Sequence, residues 1–444
     1  MRIDTLHVKN FKKYEDEKLS LHPQFTLLVG PNASGKTALL DAVAVSMGIW
    51  LVEPPDTSLQ NSRRNILPDE IRLQAAMEGD RLQFRERRPV AVTATGRIGT
   101  RSDVSWTRQI KLGQTKTTNS AAREALETIR DIYSRDAGGE SIVCPVLAYY
   151  GAGRAWLPSN ARTARETRPP KTALRWGAFY DCFEERIRFG DLRAWFHAET
   201  TAAGNRGGRM RPGFEVVRLA VLRCVPGAED LRFDADRSEI VFTVGGAAQP
   251  FSNLSAGQQM MLALVADIAI KAVTQNAHLL PPDELGPDDQ PWPRLLNETP
   301  GIVLIDELDV HLHPSWQRRV AADLKRTFPA IQFVCTTHSP QVIGEVSRDE
   351  VRVLGPERIS TPGVAKGADS NWLLDHEMGA SSVADEARRL RESAETALDK
   401  DDLPIARARL EALRAFVDGE TGELARLGAS LEALERLDRA DSQE

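Results

Sequence analysis

Cysteine is scarce in this chain: four in 444 residues, Cys144, Cys182, Cys224 and Cys335, with no CxxC spacing. That excludes a disulfide framework and a paired-cysteine zinc site. Three of the four sit in apolar or aromatic stretches, as reduced core thiols do. Long hydrophobic runs are absent as well, and no stretch approaches the roughly 18–20 apolar residues of a membrane span. The opening "MRIDTLHVKNF" alternates like a strand and lacks the pattern of a signal peptide. No heptad series is long enough for an extended coiled coil. Nor is there an excess of positive charge: 57 Lys and Arg against 63 Asp and Glu give a net charge of −6, which excludes a polycation that coats nucleic acid. These absences lead us to expect a soluble cytoplasmic protein with no membrane partner.

What is present is a chain of 41% hydrophobic residues, enough for a large core and for two or three domains. Charge is unevenly spread. Arginine is dense from Arg81 to Arg108 and from Arg154 to Arg223, whereas the segment after Ser339 is acidic. Such asymmetry fits a basic face for nucleic acid, with Arg154, Arg168 and Arg175 as contacts, and equally fits a solvated arginine-rich surface.

Along the chain, "RIDTLHVKNF" and "EKLSLHP" read as strands joined by a polar turn, and "FTLLVG" as a buried parallel strand. "GKTALLDAVAVSMGIW" has helical spacing. Residues from about Glu53 to Gly139 are polar and mixed, with a hairpin in "PVAVTATG" and "SDVSWTRQIKL" and one helix in "SAAREALETIRDIYSR". "IVCPVLAYY", "GIVLIDE" and "IQFVCTTHS" read as further buried strands, and "LRFDADRSEIVFTVGG" as a hairpin. "GDLRAWFHAET", "GFEVVRLAVLRCV" and the strongly apolar "QQMMLALVADIAIKAV" read as helices. "RTARETRPPKT" is a basic loop, and the stretch from His278 to Pro300 an acidic, proline-rich one. From Ser381 onward the pattern predicts an antiparallel helix pair turning at "DKDDLP", then a further helix.

Four short stretches carry chemistry. "GPNASGKT", comprising Gly30, Pro31, Asn32, Ala33, Ser34, Gly35, Lys36 and Thr37, fills the GxxxxGK[ST] pattern between a strand and a helix. Its glycines let successive N–H groups face one concavity, and the helix offers its positive end to a phosphate. Lys36 would reach the β- and γ-phosphates of ATP, and Thr37 would bind Mg²⁺. "GIVLIDE" is a buried strand ending in Asp306 and Glu307, a costly arrangement unless the carboxylates have work to do. Asp306 would hold the Mg²⁺ and its water shell, and Glu307 would orient the attacking water. "VCTTHS" places His338 just past another strand, where an imidazole can touch the γ-phosphate. "NLSAGQQMM" is a small-residue turn ahead of an apolar helix, and its Ser255, Ala256, Gly257 and Gln258 suit an anion, yet the only phosphate loop lies more than two hundred residues earlier.

In this order, "GPNASGKT", "LSAGQQ", "VLIDE" and "TTHS" resemble the ATP-binding-cassette heads of the SMC and overcoming-lysogenization-defect kind. The resemblance implies an α/β fold, with a P-loop NTPase core, an antiparallel β subdomain and a helical lobe. It also implies that the signature turn closes over the ATP of a second copy, so that Ser255 and the N–H of Gly257 bind the γ-phosphate in trans. Two or three hydrogen bonds to charge at each of two sites, at about 1.5–3 kcal/mol each, give roughly 6–18 kcal/mol. That is comparable with the association cost of about 4–15 kcal/mol, so nucleotide would govern closure into a homodimer or larger homo-oligomer. Ala256 stands where the family has a glycine, which leaves room for a weaker grip. The glutamine that usually links Mg²⁺ to the helical lobe is unassigned, with Gln74 and Gln83 as candidates. "DVHLHPSW" offers His311 and His313, read as a loop near the partner's nucleotide in preference to a metal site.

"IDELDVHLHPSWQ", "PVLAYYGAGRAW", "WGAFYDCFEERIRFGDLRAWF" and "GADSNWLLDHEMGA" further resemble the ATPase subunits (PtuA) of the Septu anti-phage system. That likeness implies a defence ATPase working with a separate HNH endonuclease (PtuB-like), with no nuclease of its own. Alternatives are a RecF-like DNA-repair or DNA-binding ATPase and, last, a transporter ATPase. The expected organisation is an ATPase head over 1–350 and a helical region over 351–444 suited to partner docking or to capping. Within the head we expect a nucleotide core at 1–52 and 300–350, a β subdomain at about 1–22 and 80–150, and a signature lobe at about 155–280.

Overall fold

The computed structural model describes residues 1–155, 175–280, 293–355, 358–379, 383–417, 419 and 421–441. Arg168 and the "RTARETRPPKT" loop lie outside them, as do the side chain of Arg154 and most of the acidic, proline-rich loop. The chain divides into two compact units, Met1–Ser370 and Asn371–Glu444. The first extends past the expected boundary at 350, because Val351–Leu354 joins the sheet that carries the phosphate loop.

That sheet has six strands in the order Ile359–Ser360, Val351–Leu354, Phe25–Val29, Ile331–Thr336, Gly301–Ile305 and Val146–Tyr150. The last five run parallel. Four of them, from Phe25–Val29 to Val146–Tyr150 in that order, are buried at every residue. This is why they read as continuous apolar runs: a parallel sheet is covered on both faces. In such a sheet, loops at the carboxyl ends of neighbouring strands form the ligand crevice. Those ends here are Gly30, Asp306 and Thr337.

A second sheet is antiparallel, ordered Tyr14–Ser20, Arg2–Phe11, Val90–Ile98, Arg101–Ile110 and Thr118–Ala121. The helix Lys36–Met47 packs against strands of both sheets and is buried at every position except Thr37. A three-stranded sheet comprises Ala228–Asp234, Glu239–Val244 and Ala247–Pro250. A two-stranded ribbon, Leu73–Glu78 with Arg81–Glu86, escaped the sequence reading. Nearly all of it is exposed, so burial imposes no alternation on it.

The helix Ala256–Asn276 corrects one expectation. With the turn that follows, through Leu279, it is long and apolar enough to cross a membrane, and 67% of its apolar window is buried within the fold. Its apolar composition goes with burial among neighbours: Pro212–Cys224 lies so close that a Cβ on Gly213 would stand 2.7 Å from Val273.

All four cysteines are buried and none forms a disulfide. Burial pushes the Cys144 thiol up to about 11 and Cys224 up to about 12, and it drives Cys182 well above the ordinary thiol range. Because the thiolate is the reactive form, maleimide labelling of the native protein at neutral pH will stay near background. It will reach all four thiols once denaturant is added. Rapid native labelling would contradict this packing.

The second unit contains the helices Asp385–Asp399, Leu403–Phe416 and Gly422–Asp441. The first two pair and turn at Asp399–Asp402, as the sequence predicts. Ala397, Ala406, Leu410, Leu413, Leu424, Leu427 and Leu431 form its core, and Asp402 caps the second helix through the N–H of Ile405.

Candidate functional site

At the carboxyl edge of the parallel sheet is a cavity of about 340 Å³, lined by the phosphate loop, Asp306, Glu307 and His338. The loop takes its shape from close approaches. At Gly35, φ is +99°, and a Cβ would stand 2.6 Å from both Lys13 and the Tyr14 hydroxyl. Ala33 adopts φ 61°, which helps fold the loop over itself. Lys36 is almost fully buried and donates from Nζ to the carbonyls of Gly30 (2.9 Å) and Pro31 (3.1 Å). Desolvation lowers its pKa, while Asp306, Glu307 and Asp309 oppose that shift. The ammonium is therefore held at the loop mouth with negative charge behind it.

Two strand ends meet opposite the loop. The Thr37 hydroxyl donates to Asp306 Oδ2 (2.9 Å), and the Thr336 hydroxyl donates to Oδ1 (2.5 Å). Thr336 Oγ1 also accepts the N–H of Glu307 (2.7 Å). Glu307 has φ 51°, a left-handed conformation seldom adopted by a glutamate, and this turns the chain sharply at the strand end. His338 is half-buried, and its N–H donates to Asp309 Oδ1 (3.3 Å), which also accepts from the Thr337 hydroxyl. Thr37 and Asp306 present hard oxygen donors side by side, a set that suits Mg²⁺ with water completing its shell.

The signature turn does not line this cavity. Ser255 is exposed and caps the helix Ala256–Asn276 in a reciprocal box: its Oγ accepts the N–H of Gln258 (3.3 Å), and Gln258 Oε1 accepts the N–H of Ser255 (3.0 Å). Ala256 is exposed as well, whereas Gly257 is buried against the loop after Glu307, where a Cβ would lie 2.6 Å from the His311 carbonyl. The glycine thus has a packing reason beyond its N–H. His313 caps the helix Pro314–Thr327 through the N–H of Ser315 (3.3 Å). Among the described residues no cluster of three or more metal-ligating side chains occurs.

Gln74 and Gln83 lie on the exposed ribbon and do not line the cavity, so neither serves there within the chain. Arg175 is also corrected as a nucleic-acid contact. Its guanidinium pairs with Asp136, donates to the Ile142 carbonyl and lies 5.4 Å from the Trp176 ring.

Sequence reasoning missed Lys12 and Lys13, which line the cavity. Lys12 pairs with Asp41, and Lys13 donates to the carbonyl of Ser34. Their only signal is two adjacent lysines in the first turn. It also missed a buried network. The Tyr150 hydroxyl donates to Asp267 Oδ2 (2.6 Å), which pairs with Lys271 (2.7 Å), and Lys271 pairs with Asp181 (3.0 Å). The Tyr150 carbonyl accepts the N–H of Asp306 (2.8 Å), so the signature helix is tied to the acidic strand end.

A model described as an AAA domain matches residues 5–189, which hold the phosphate loop. A second AAA-domain model, whose description names the AbiEii toxin of a type IV toxin–antitoxin system, matches residues 225–344, which hold the signature turn, Asp306, Glu307 and His338. Over these two stretches the chain is similar to AAA-domain ATPases. The chain is 34% identical over 161 residues to the retron Ec83 probable ATPase of Escherichia coli, a match covering 36% of this chain and 27% of that protein. It is 34% identical over 128 residues to the Septu protein PtuA of Bacillus mycoides strain KBAB4, covering 28% of this chain and 16% of that protein. The matches therefore span less than a third of either relative's length. A solved SMC head bound to the C-winged helix domain of ScpA aligns over 82% of this chain and 97% of its own chain, at 16% identity and a TM-score of 0.47.

Proposed function

We infer that this chain binds Mg·ATP in the phosphate-loop cavity and hydrolyses it when a second copy closes over the nucleotide. The observation that carries this reading is the convergence of Lys36, Thr37, Asp306, Glu307 and His338 on one cavity that the signature turn does not reach. Lys36 and the loop N–H groups hold the phosphates. Thr37 and Asp306 would hold the Mg²⁺, which neutralises phosphate charge when bound. Glu307 takes a proton from the attacking water, and His338 contacts the γ-phosphate. Ser255 and Gly257 of another copy supply the missing wall, because the free N–H groups of a long helix favour an anion.

We further propose that ATP-driven closure controls a separate HNH endonuclease in anti-phage defence, with the helical C-terminal unit as the docking element. The similarity to retron and Septu ATPases supports this reading. The test is to express the tagged chain with its neighbouring genes, recover the complex and challenge the cells with phage. An HNH nuclease will co-purify, and Lys36→Ala will abolish protection while leaving the complex assembled. Protection that survives Lys36→Ala would remove ATP from the mechanism. A RecF-like role instead requires duplex binding that falls steeply with salt in the protein alone.

A further inference from the structure

A second cavity, of about 410 Å³, lies beyond the far end of the phosphate-loop helix and has no acidic residue in its lining. Its construction starts from Arg108, which is fully buried. Arg108 Nη1 donates to the Val45 carbonyl (2.7 Å) in the last turn of the helix Lys36–Met47, and also to the carbonyl of Arg64. This close fit requires glycine at position 48, where a Cβ would stand 2.5 Å from Nη1. The guanidinium places positive charge at the carboxyl end of the helix, where the dipole favours it. Carboxylates nearby are committed elsewhere, since Asp41 and Glu70 pair with Arg64. Among the described residues no carboxylate pairs with Arg108, Arg63 or Lys116. Burial and the neighbouring Arg64 and Arg63 hold Arg108 below the ordinary arginine pKa, as expected where positive potential is uncompensated.

The remaining donors of Arg108 fix the cavity wall. Nη2 donates to Asn65 Oδ1 (2.6 Å), and Nε donates to Asn119 Oδ1 (3.1 Å). With both carboxamide oxygens held by the guanidinium, both amide NH₂ groups are directed away from it, and both asparagines line the cavity. Thr117 Oγ1 accepts the N–H of Ile66 (3.0 Å), which leaves its hydroxyl proton to donate. Arg63 is anchored through Nε to the Leu51 carbonyl (2.9 Å), leaving its terminal nitrogens available. Lys116 adds an ammonium on the same wall. The cavity is thus rich in donors and in positive charge.

We propose that this cavity binds a phosphate ester of nucleotide size. Donors from several directions match the oxygens of a tetrahedral phosphate better than a flat carboxylate. The volume exceeds that of the phosphate-loop cavity, and so leaves room for the rest of a nucleotide. The two sites are joined by one helix of 12 residues, about 18 Å long at 1.5 Å per residue, so an occupant would act on the helix that grips ATP.

The test uses the full chain carrying Lys36→Ala, which silences the phosphate loop, and calorimetric titration with pyrophosphate, a 5′-phosphorylated dinucleotide and its 5′-hydroxyl counterpart. Preference for the 5′-phosphorylated dinucleotide over its 5′-hydroxyl counterpart supports the proposal and identifies a nucleic-acid end; binding of pyrophosphate alone would overturn the ester reading. Lys116→Glu and Asn119→Asp will each weaken binding roughly tenfold to a hundredfold, as expected for loss of a hydrogen bond to charge. Lys400→Glu, the same charge reversal in the other unit, will leave it unchanged. Asn119→Asp gives Arg108 a carboxylate, so its melting temperature will hold or rise while its affinity falls. Absence of binding by all three probes, equal losses in the Lys400 variant, or binding of duplex DNA only would each overturn the proposal. Lys116 is exposed, so its variant keeps the test valid if Asn119→Asp fails to fold.

Discussion

Glu307→Gln will lower single-turnover phosphate release at least about a hundredfold while leaving ATP affinity nearly unchanged, because a positioned general base contributes roughly 10²–10⁴ in rate. The amide keeps the shape of the carboxylate and does not disturb the backbone, which is fixed by the N–H bond to Thr336 and the turn at φ 51°. It loses only the capacity to take a proton from water. On the proposed function the phosphate contacts would come from the loop and Lys36 and not from Glu307, so binding is spared. With hydrolysis stalled, the ATP-bound oligomer will accumulate and can be seen by light scattering. Phosphate release within a few-fold of wild type would assign the base elsewhere.

Ser255→Arg will reduce steady-state ATPase to background although each chain still binds nucleotide. Ser255 is exposed and does not line its own cavity, so the substitution costs about 1 kcal/mol of helix capping and leaves the fold intact. At a shared site, however, it places a bulky cation where a small hydroxyl meets the neighbour's phosphate. Lys36→Ala is inactive for the complementary reason. Mixed in equal amounts, the two will recover about a quarter of wild-type activity, because half the pairs in a two-fold assembly are hybrids with one of two sites intact. No recovery on mixing would sink assembly in trans.

Much of the site was legible because phosphate binding is local chemistry. Gly30 to Thr37 form one short turn whose backbone would do the gripping, and a buried strand ending in Asp306 and Glu307 stands out against its apolar run. The lining role of Lys12 and Lys13 was not legible, since a surface lysine pair looks the same in any turn. Its meaning depends on Gly35 packing beneath Tyr14. In the chain Tyr150–Asp267–Lys271–Asp181 only the middle link is local, four residues apart on one helix; Tyr150 and Asp181 join it from far away in sequence, and no periodicity announces those two pairings. Arg175 shows the reverse: an arginine in a basic stretch that folding turned inward onto Asp136.

By itself, the sequence determined the order of buried strands, the phosphate loop, the acidic strand end and the paired helices of the C-terminal unit, because each is written in neighbouring residues through burial pattern or turn chemistry. Only the tertiary structure decided which of these share a cavity, that Ser255 stands outside it, and that Arg108 is buried without a carboxylate. Those outcomes depend on strand order and on desolvation by distant segments, and neither is encoded in any short stretch of the chain.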